Sequence, residues 1–240
     1  MSSTAAPGVV ASVHLWRVPT TAVPQALGHM ATDRLRLRGQ PGLRFAKLLG
    51  TGSGRTFTLR DADPHRWALL TVWVDEAAAA GFDSGCVVAG WRRIAEEQWT
   101  ALLRPQASRG RWSRREPFGS PVPAPWDGPV AAITRARLAP ARAGRFWRAV
   151  PPVSAELHRT PGLLLALGIG EAPLGLQGTF SLWRSAAALN EFAYQRPAHL
   201  DAVRRTGIEG WYAEELFARF ALLSSRGTVG GSDPLSRRGS

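Results

Sequence analysis

Cysteine is nearly absent from this 240-residue chain: Cys86 stands alone. An internal disulfide is excluded, a thiolate metal cluster is excluded, and a reducing compartment is expected. Lysine is as scarce, with Lys47 the only one, so arginine supplies the rest of the 30 basic residues. No apolar run reaches the roughly 20 residues that span a bilayer. The opening MSSTAAPGVVASVHLW has no basic start before an apolar stretch, unlike a secretory signal. A cytoplasmic protein is expected, with any membrane contact peripheral. Motifs are also few. There is no GxSxG elbow and no HExxH helix, and the five histidines (His14, His29, His65, His158, His199) are scattered singly.

The chain is rich in apolar residues and in positive charge. Hydrophobic residues make up 45 %, enough for a packed core, and the formal net charge is +12. The arginines are spread along the chain and accompany no helix-turn-helix or RNA-binding signature. Nucleic acid is therefore not expected, and an anionic lipid surface or acidic partner fits better.

Periodicity and breakers predict strands over 9–18, 43–49, 67–74 and around 99–103, with a helix over 24–36 and a broken helix over 75–97. Residues 113–129, rich in proline and glycine, read as a linker. The order then repeats. Strands are predicted over 130–138, 163–169, 179–183 and 216–222, and helices over 142–159, 186–195 and 197–205. Pro151-Pro152 interrupts the first of these helices and Pro197 restarts the last. Residues 224–240 read as a loose tail.

Three sequence matches support a duplication. PGLRFAKLLGTG at Pro41 and PGLLLALGIGEA at Pro161 lie 120 positions apart. Trp73 and Phe82 answer to Trp183 and Phe192 at 110, and Gly110 answers to Gly227 at 117. The organisation predicted is a first ferredoxin-like half at 9–112, the linker, a second half at 130–223 and the tail. Each half reads β-α-β-β-α-β, an α+β fold whose open sheet face needs a cover. Two fused halves would cover each other as a dimeric α/β-barrel-type pseudo-dimer. A ligand cavity would lie between the sheets or between a sheet and its helices.

GTGSG at 50–54 precedes a strand-like segment rather than a helix, so it reads as a tight β-β connection, not a phosphate loop. Gly168 and Gly170, in GIG, would let a flat ligand approach the backbone. Glu171, Glu191, Glu209, Glu214 and Glu215 are candidate acid/base groups without paired spacing, and capping or salt bridging is their simpler role. Trp183, Phe192, Tyr194, Trp211 and Phe220 read either as core or, given ten tryptophans, as walls for a large apolar substrate. His199 has no counterpart in the first half. It reads either as a structural histidine or as a metal ligand, binding a haem iron through one nitrogen.

GIGEAPLGLQGTFSLW, FAYQRPAH, GWYAEELFARF and, in the first half, KLLGTGSGRTF resemble the spheroidene monooxygenase family, carotenoid ketolases of phototrophic bacteria. The resemblance covers residues 10–235 and is densest over 161–235. It implies the dimeric α/β-barrel fold and a monooxygenase that oxidises C-2 of an acyclic carotenoid. Dioxygen and reduced ferredoxin are consumed, giving first an alcohol and then a ketone, and the family has been linked to haem. His199 matches a histidine of the family's helix. One departure is Val229, where the family's closing GT-W-x-G motif carries tryptophan.

On this reading His199 is the proximal haem ligand and Tyr194, Trp183 and Trp211 wall the substrate, beside Gly168 and Gly170. Rim arginines meet haem propionates, an acidic ferredoxin-type donor or anionic lipid. Two other readings stay open. One is a cofactor-free oxygenase of the same barrel type, and the other is a non-catalytic barrel that carries an apolar ligand.

Overall fold

The computed structural model describes residues 8–55, 61–138, 154, 156–171, 178–195 and 212–236. The first half contains β1 (Val10–Arg17), α1 (Val23–Arg36), β2 (Leu43–Gly52), β3 (Ala62–Trp73), α2 (Glu76–Asp83), α3 (Cys86–Ile94) and β4 (Glu97–Gly110). The second contains β5 (Val130–Leu138), β6 (Leu163–Gly170), β7 (Gly178–Trp183), α4 (Ala186–Gln195) and β8 (Tyr212–Gly227). Of the helix expected over 142–159, only the end is described, with 156–159 helical. The helix expected over 197–205 lies outside the described residues.

All pairings are antiparallel, and the strands close into one barrel in the order β1-β3-β2-β6-β7-β5-β8-β4. Within each half the spatial order is fourth, first, third, second strand, the ferredoxin-like order. The two sheets therefore form one barrel, joined at β2·β6 and β4·β8. Alternation decides what lies inside. Val13, Leu15, Leu70, Val72, Ala101, Leu103, Ile133, Leu167, Phe180, Leu182, Ala218 and Phe220 point inward and pack as one buried cluster. Trp99 and Phe180 meet there, ring centroids 6.1 Å apart. Between the sheets the described residues form one continuous buried cluster.

The duplication extends to individual hydrogen bonds. Gly50 and Gly170, equivalent by the 120-residue offset, are register partners across β2·β6. Arg104 and Ala221, equivalent at 117, are register partners across β4·β8. The pseudo-two-fold axis passes through both places. Gly42 and Gly162, at φ +74° and +84°, turn into β2 and β6, where an added Cβ would meet Ala78 and Ala188 at 2.6 and 2.7 Å. The Asp75 carboxylate caps α2 by accepting from Ala78 N, and the Ser185 hydroxyl accepts from Ala188 N at the start of α4.

Two expectations need correction. Gly50–Gly52 are not loop: they are the last residues of β2 and form the seam with Gly168–Gly170. The expected tail from 224 is ordered through Ser236. β8 runs to Gly227 because its polar SSRG end pairs with β4, Val229 is buried, and Pro234–Ser236 forms a 3-10 turn. Residues 113–129 do connect the halves, but they lie on the barrel. Phe118 is buried edge-on to Phe220, and the Trp126 indole N–H donates to Pro129 O.

Candidate functional site

On the outer, helix-facing side of the barrel the two halves differ. In the first half a row of register partners crosses three strands as Leu48–Leu69–His14, and the next row is Gly50–Trp67–Trp16. The same rows in the second half read Gly168–Thr179–Thr134 and end on Gly170 and Ala136. Three other rows or positions are kept or nearly so: Trp73 by Trp183, Val10 by Val130, Ala46 by Ala166.

In the first half this layer is filled. Trp16 stacks on Trp91 of α3 at 4.9 Å, Trp67 lies 6.3 Å from Trp91, and Phe82 lies against Trp73. His14 is 1 % exposed and stacks on Trp16 at 5.4 Å. In the second half, glycine, alanine and threonine replace leucine, tryptophan and histidine over a contiguous patch of β5, β6 and β7. Burying a large apolar side chain is worth roughly 1.5–3 kcal/mol, and interiors tolerate few voids. A sheet face stripped of three such side chains is therefore a place for something else to lie. Comparing residues at the 120- and 110-residue offsets would have located it from sequence; searching for matched motifs did not.

Gly168 and Gly170 lie on this patch or at its edge, as a flat ligand would require. Trp183 does not line an open space. Its indole is buried, stacks on Phe192 at 5.5 Å and donates from Nε1 to Ser181 Oγ at 2.9 Å. Trp73 lies against Phe82 at 4.9 Å with its ring tilted and donates likewise to Thr71 Oγ1, so these surroundings are those of a core residue. Tyr194 falls in the last turn of α4, and its side chain lies outside the described residues. His199 and Trp211 lie outside them altogether. Among the described residues no group of three histidine, cysteine, aspartate or glutamate side chains is placed to hold a metal ion. No described helix is long and apolar enough to cross a membrane.

The carboxylates take structural roles. Glu171 accepts from Trp112 Nε1 at 2.7 Å and Arg135 at 2.9 Å, and pairs with Lys47 at 2.5 Å. Burial alone would raise its pKa, but the hydrogen bonds and the cations outweigh burial and hold it below the ordinary carboxylate range. Glu214 pairs with Arg135 and accepts from the backbone N–H groups of Ser113 and Arg114. It is held low in the same way, hydrogen bonds outweighing burial. These are anchors that stay ionised at neutral pH at one barrel mouth, unsuited to general-acid work. Sequence spacing gave no signal for them, because the partners come from β2, β5 and β8 and from the segments just past β4 and β6.

No protein-family model matches the chain. It is 37 % identical to the spheroidene monooxygenase of Rhodobacter capsulatus, over 95 % of this chain and 96 % of that protein. It is 42 % identical to the spheroidene monooxygenase of Rubrivivax gelatinosus, over 79 % of this chain and 72 % of that protein. Among solved structures, aldoxime dehydratase in complex with butyraldoxime shares the fold, with a TM-score of 0.59 and 10 % identity, over 89 % of this chain and 79 % of that one. A second aldoxime dehydratase structure gives a TM-score of 0.57 at 11 % identity, over 89 % of this chain and 81 % of that one. With that identity over nearly its full length and the duplicated barrel in place, the chain belongs to the spheroidene monooxygenase family and is an oxidoreductase of the monooxygenase class.

Proposed function

We propose that the chain inserts one oxygen atom of dioxygen into a large apolar substrate of the carotenoid or polyprenoid kind, using a haem held against the second-half sheet. The observation that carries this is the exchange of Leu48, Leu69, His14 and Trp16 for Gly168, Thr179, Thr134 and Ala136. A flat, largely apolar macrocycle suits a flat face of small residues, and Thr134 and Thr179 offer it hydroxyls. No iron ligand is present on the patch itself. His199, in the segment that follows α4, would supply the imidazole. Bound haem would supply oxygen activation.

The chain's own residues do the rest. Gly168 and Gly170 let the ligand lie close on β6. Trp183 and Phe192 set α4 on the sheet and so fix where the segment after it begins. The apolar packing around the patch keeps water from the reacting centre. Two electrons and two protons balance the second oxygen atom as water, and a ferredoxin-type donor drawn to the arginine-rich surface would deliver the electrons. Acting in the cytoplasm, the protein would meet its substrate at the anionic inner face of the membrane, by peripheral contact through the same arginines.

The test is spectroscopic. Protein expressed in a haem-sufficient host should carry a Soret band, and His199→Ala should shift or abolish it. Colourless protein that turns over after metal stripping would replace this reading with a cofactor-free oxygenase. Tight binding of an apolar ligand without oxygen uptake would replace it with a carrier.

A further inference from the structure

Aromatic rings run unbroken through the helix-facing layer of the first half. Trp67 lies 6.3 Å from Trp91, Trp16 stacks on Trp91 at 4.9 Å, and His29 of α1 lies 5.1 Å from Trp91. The three indoles are at most 2 % exposed, and His29 is the ring that reaches solvent, at 18 %. The other end of the row reaches the seam between the halves. Trp67 is the register partner of Gly50, and Gly50 is that of Gly170.

Two of these indoles differ in what holds the N–H. Trp67 Nε1 is buried with no hydrogen-bond partner among the described residues. Trp91 Nε1 donates to Asp33 Oδ2 at 3.1 Å. Asp33 is fully buried; the same oxygen accepts from His29 Nδ1 at 3.0 Å, and Oδ1 accepts from Arg36 at 2.9 Å. Gly90 makes room for the imidazole, since a Cβ there would meet His29 Cε1 at 2.8 Å. Packing accounts for the rings. It does not call for a carboxylate beneath an indole N–H, because burying a charge is costly even when it is paired.

We infer that Trp67 and Trp91, with Trp16 stacked beside them, form a relay that carries oxidising equivalents from the second-half side of the barrel to the surface at His29, and that Asp33 takes the indole proton at Trp91. An indole yields an electron only to a strong oxidant, of the kind a monooxygenase makes from dioxygen. When that oxidant meets no substrate, one electron leaves Trp67 for it, and Trp91 refills Trp67. The Trp91 N–H bond then breaks, the proton passes to Asp33, and a neutral indole radical remains. Trp67 has no such proton acceptor, so the hole settles on Trp91. A thiol in solution returns one electron at the His29 edge, and Asp33 returns the proton to Nε1. The thiol becomes a thiyl radical and releases its own proton. In sum the oxidant gains one electron, and the thiol loses one electron and one proton. The relay does not depend on which cofactor makes the oxidant; it takes from the proposed function only the side of the barrel on which the oxidant forms.

The single cysteine allows a direct test. Cys86 is exposed and opens α3, the helix that carries Trp91. A thiol-reactive ruthenium photo-oxidant on Cys86 injects a hole beside Trp91. The same label on Ser53→Cys, in a Cys86→Ser background, injects it at the seam, just past β2. Flash–quench with transient absorption and electron paramagnetic resonance reads the radical in protein without any cofactor. From either site a neutral indole radical should appear, form more slowly in heavy water and be lost in Trp91→Phe. Trp67→Phe should abolish the Trp91 radical when the label is at position 53 and leave it intact when the label is on Cys86. Asp33→Asn should turn the neutral radical into the cation radical. Variants are compared at matching far-UV dichroism.

No Trp91 radical from the label at position 53, or an undiminished one in Trp67→Phe, overturns the relay. A cation radical on native Trp91 with no solvent isotope effect overturns the role of Asp33, and that measurement needs no substitution in the layer. Neither outcome touches haem binding, which the Soret band reads separately.

Discussion

Trp16 and Ala136 occupy the same position in the two halves of the barrel, an indole in the first and a methyl group in the second. Trp16 is 1 % exposed and stacks on Trp91, while Ala136 ends a row that includes no aromatic ring among the described residues. Both are held in register by equivalent strands. The contrast is therefore one of side-chain volume on a common backbone.

Refilling the layer should abolish function without unfolding the protein. Gly168→Leu and Ala136→Phe restore bulk that the first half carries at Leu48 and Trp16. A substitution that closes a ligand space should leave the melting temperature unchanged or raise it, because apolar area is buried, while haem binding and oxygen uptake fall at least tenfold. The mirror change, Leu48→Gly, sits in a filled layer and should cost about 2–5 kcal/mol with no gain of ligand. Chemical denaturation and a Soret titration on the same preparations decide it.

The two hairpin turns beyond β4 and β8 predict a matched pair of effects. Glu97 accepts from Gly230 N at 3.0 Å, Gly231 N at 2.6 Å and Thr228 Oγ1 at 3.0 Å. Glu214 does the same for Ser113 and Arg114, and pairs with buried Arg135 as well. Glu97→Gln should cost about 1 kcal/mol, as for loss of charge in partly exposed hydrogen bonds. Glu214→Gln should cost more, about 3 kcal/mol, because it leaves a buried guanidinium short of a counter-ion. Urea denaturation midpoints at constant m-value would show the order, and the reverse order would refute it.

Gly227 and Gly110 predict failure of the β4·β8 seam on a small change. Their φ values are +93° and +92°, and an added Cβ would come 2.1 Å from Gln98 O and 2.2 Å from Glu215 O. Left-handed backbone costs roughly 1–2 kcal/mol for a residue with a Cβ, and the overlap adds to that. Gly227→Ala and Gly110→Ala should each lower stability by at least about 2 kcal/mol. Gly231→Ala, also at positive φ but in open space, should cost only the backbone part. Thermal melting of the three variants separates clash from conformation.

The same positions show what could be read from sequence. PGL, the Trp73/Trp183 pair and Gly110/Gly227 were legible because turns and packing demand the same residue in both copies: a positive φ, an indole bonded two residues back, a backbone approach no Cβ allows. The small-residue patch was not legible, because duplicated motifs mark where the halves agree and the patch lies where they differ. Thr134 and Ala136 look unremarkable until placed opposite His14 and Trp16. The ion cluster of Lys47, Arg135, Glu171 and Glu214 was hidden for another reason. Its members are far apart in sequence and meet only when the barrel closes, and two of Glu214's three partners are backbone N–H groups that no residue type announces.

His14 predicts a pH dependence distinct from that of the carboxylates. Burial pushes its pKa down from 6.5 to about 4; Asp83 of α2 opposes this, while Arg226 of β8 and Arg92 of α3 add to it. Thr100 of β4 shares a hydrogen bond with Nδ1 at 3.3 Å, and Nε2 is buried without a partner. The folded protein thus holds this imidazole neutral over a range in which the unfolded chain binds a proton. Stability from this source is complete above pH 6.5 and is lost as pH falls toward 4, a loss of roughly 3 kcal/mol at most. Asp83, Glu97, Glu171 and Glu214 are depressed carboxylates whose contribution is lost only as pH falls below their unfolded values, near 3.8 for the aspartate and 4.5 for the glutamates. Between pH 4.5 and 6.5 the slope should therefore belong mainly to His14. Urea denaturation across that interval should show stability falling with pH in the native protein and a flatter line in His14→Gln, the two converging at acid pH. Parallel lines would mean that the imidazole is not held neutral by the fold.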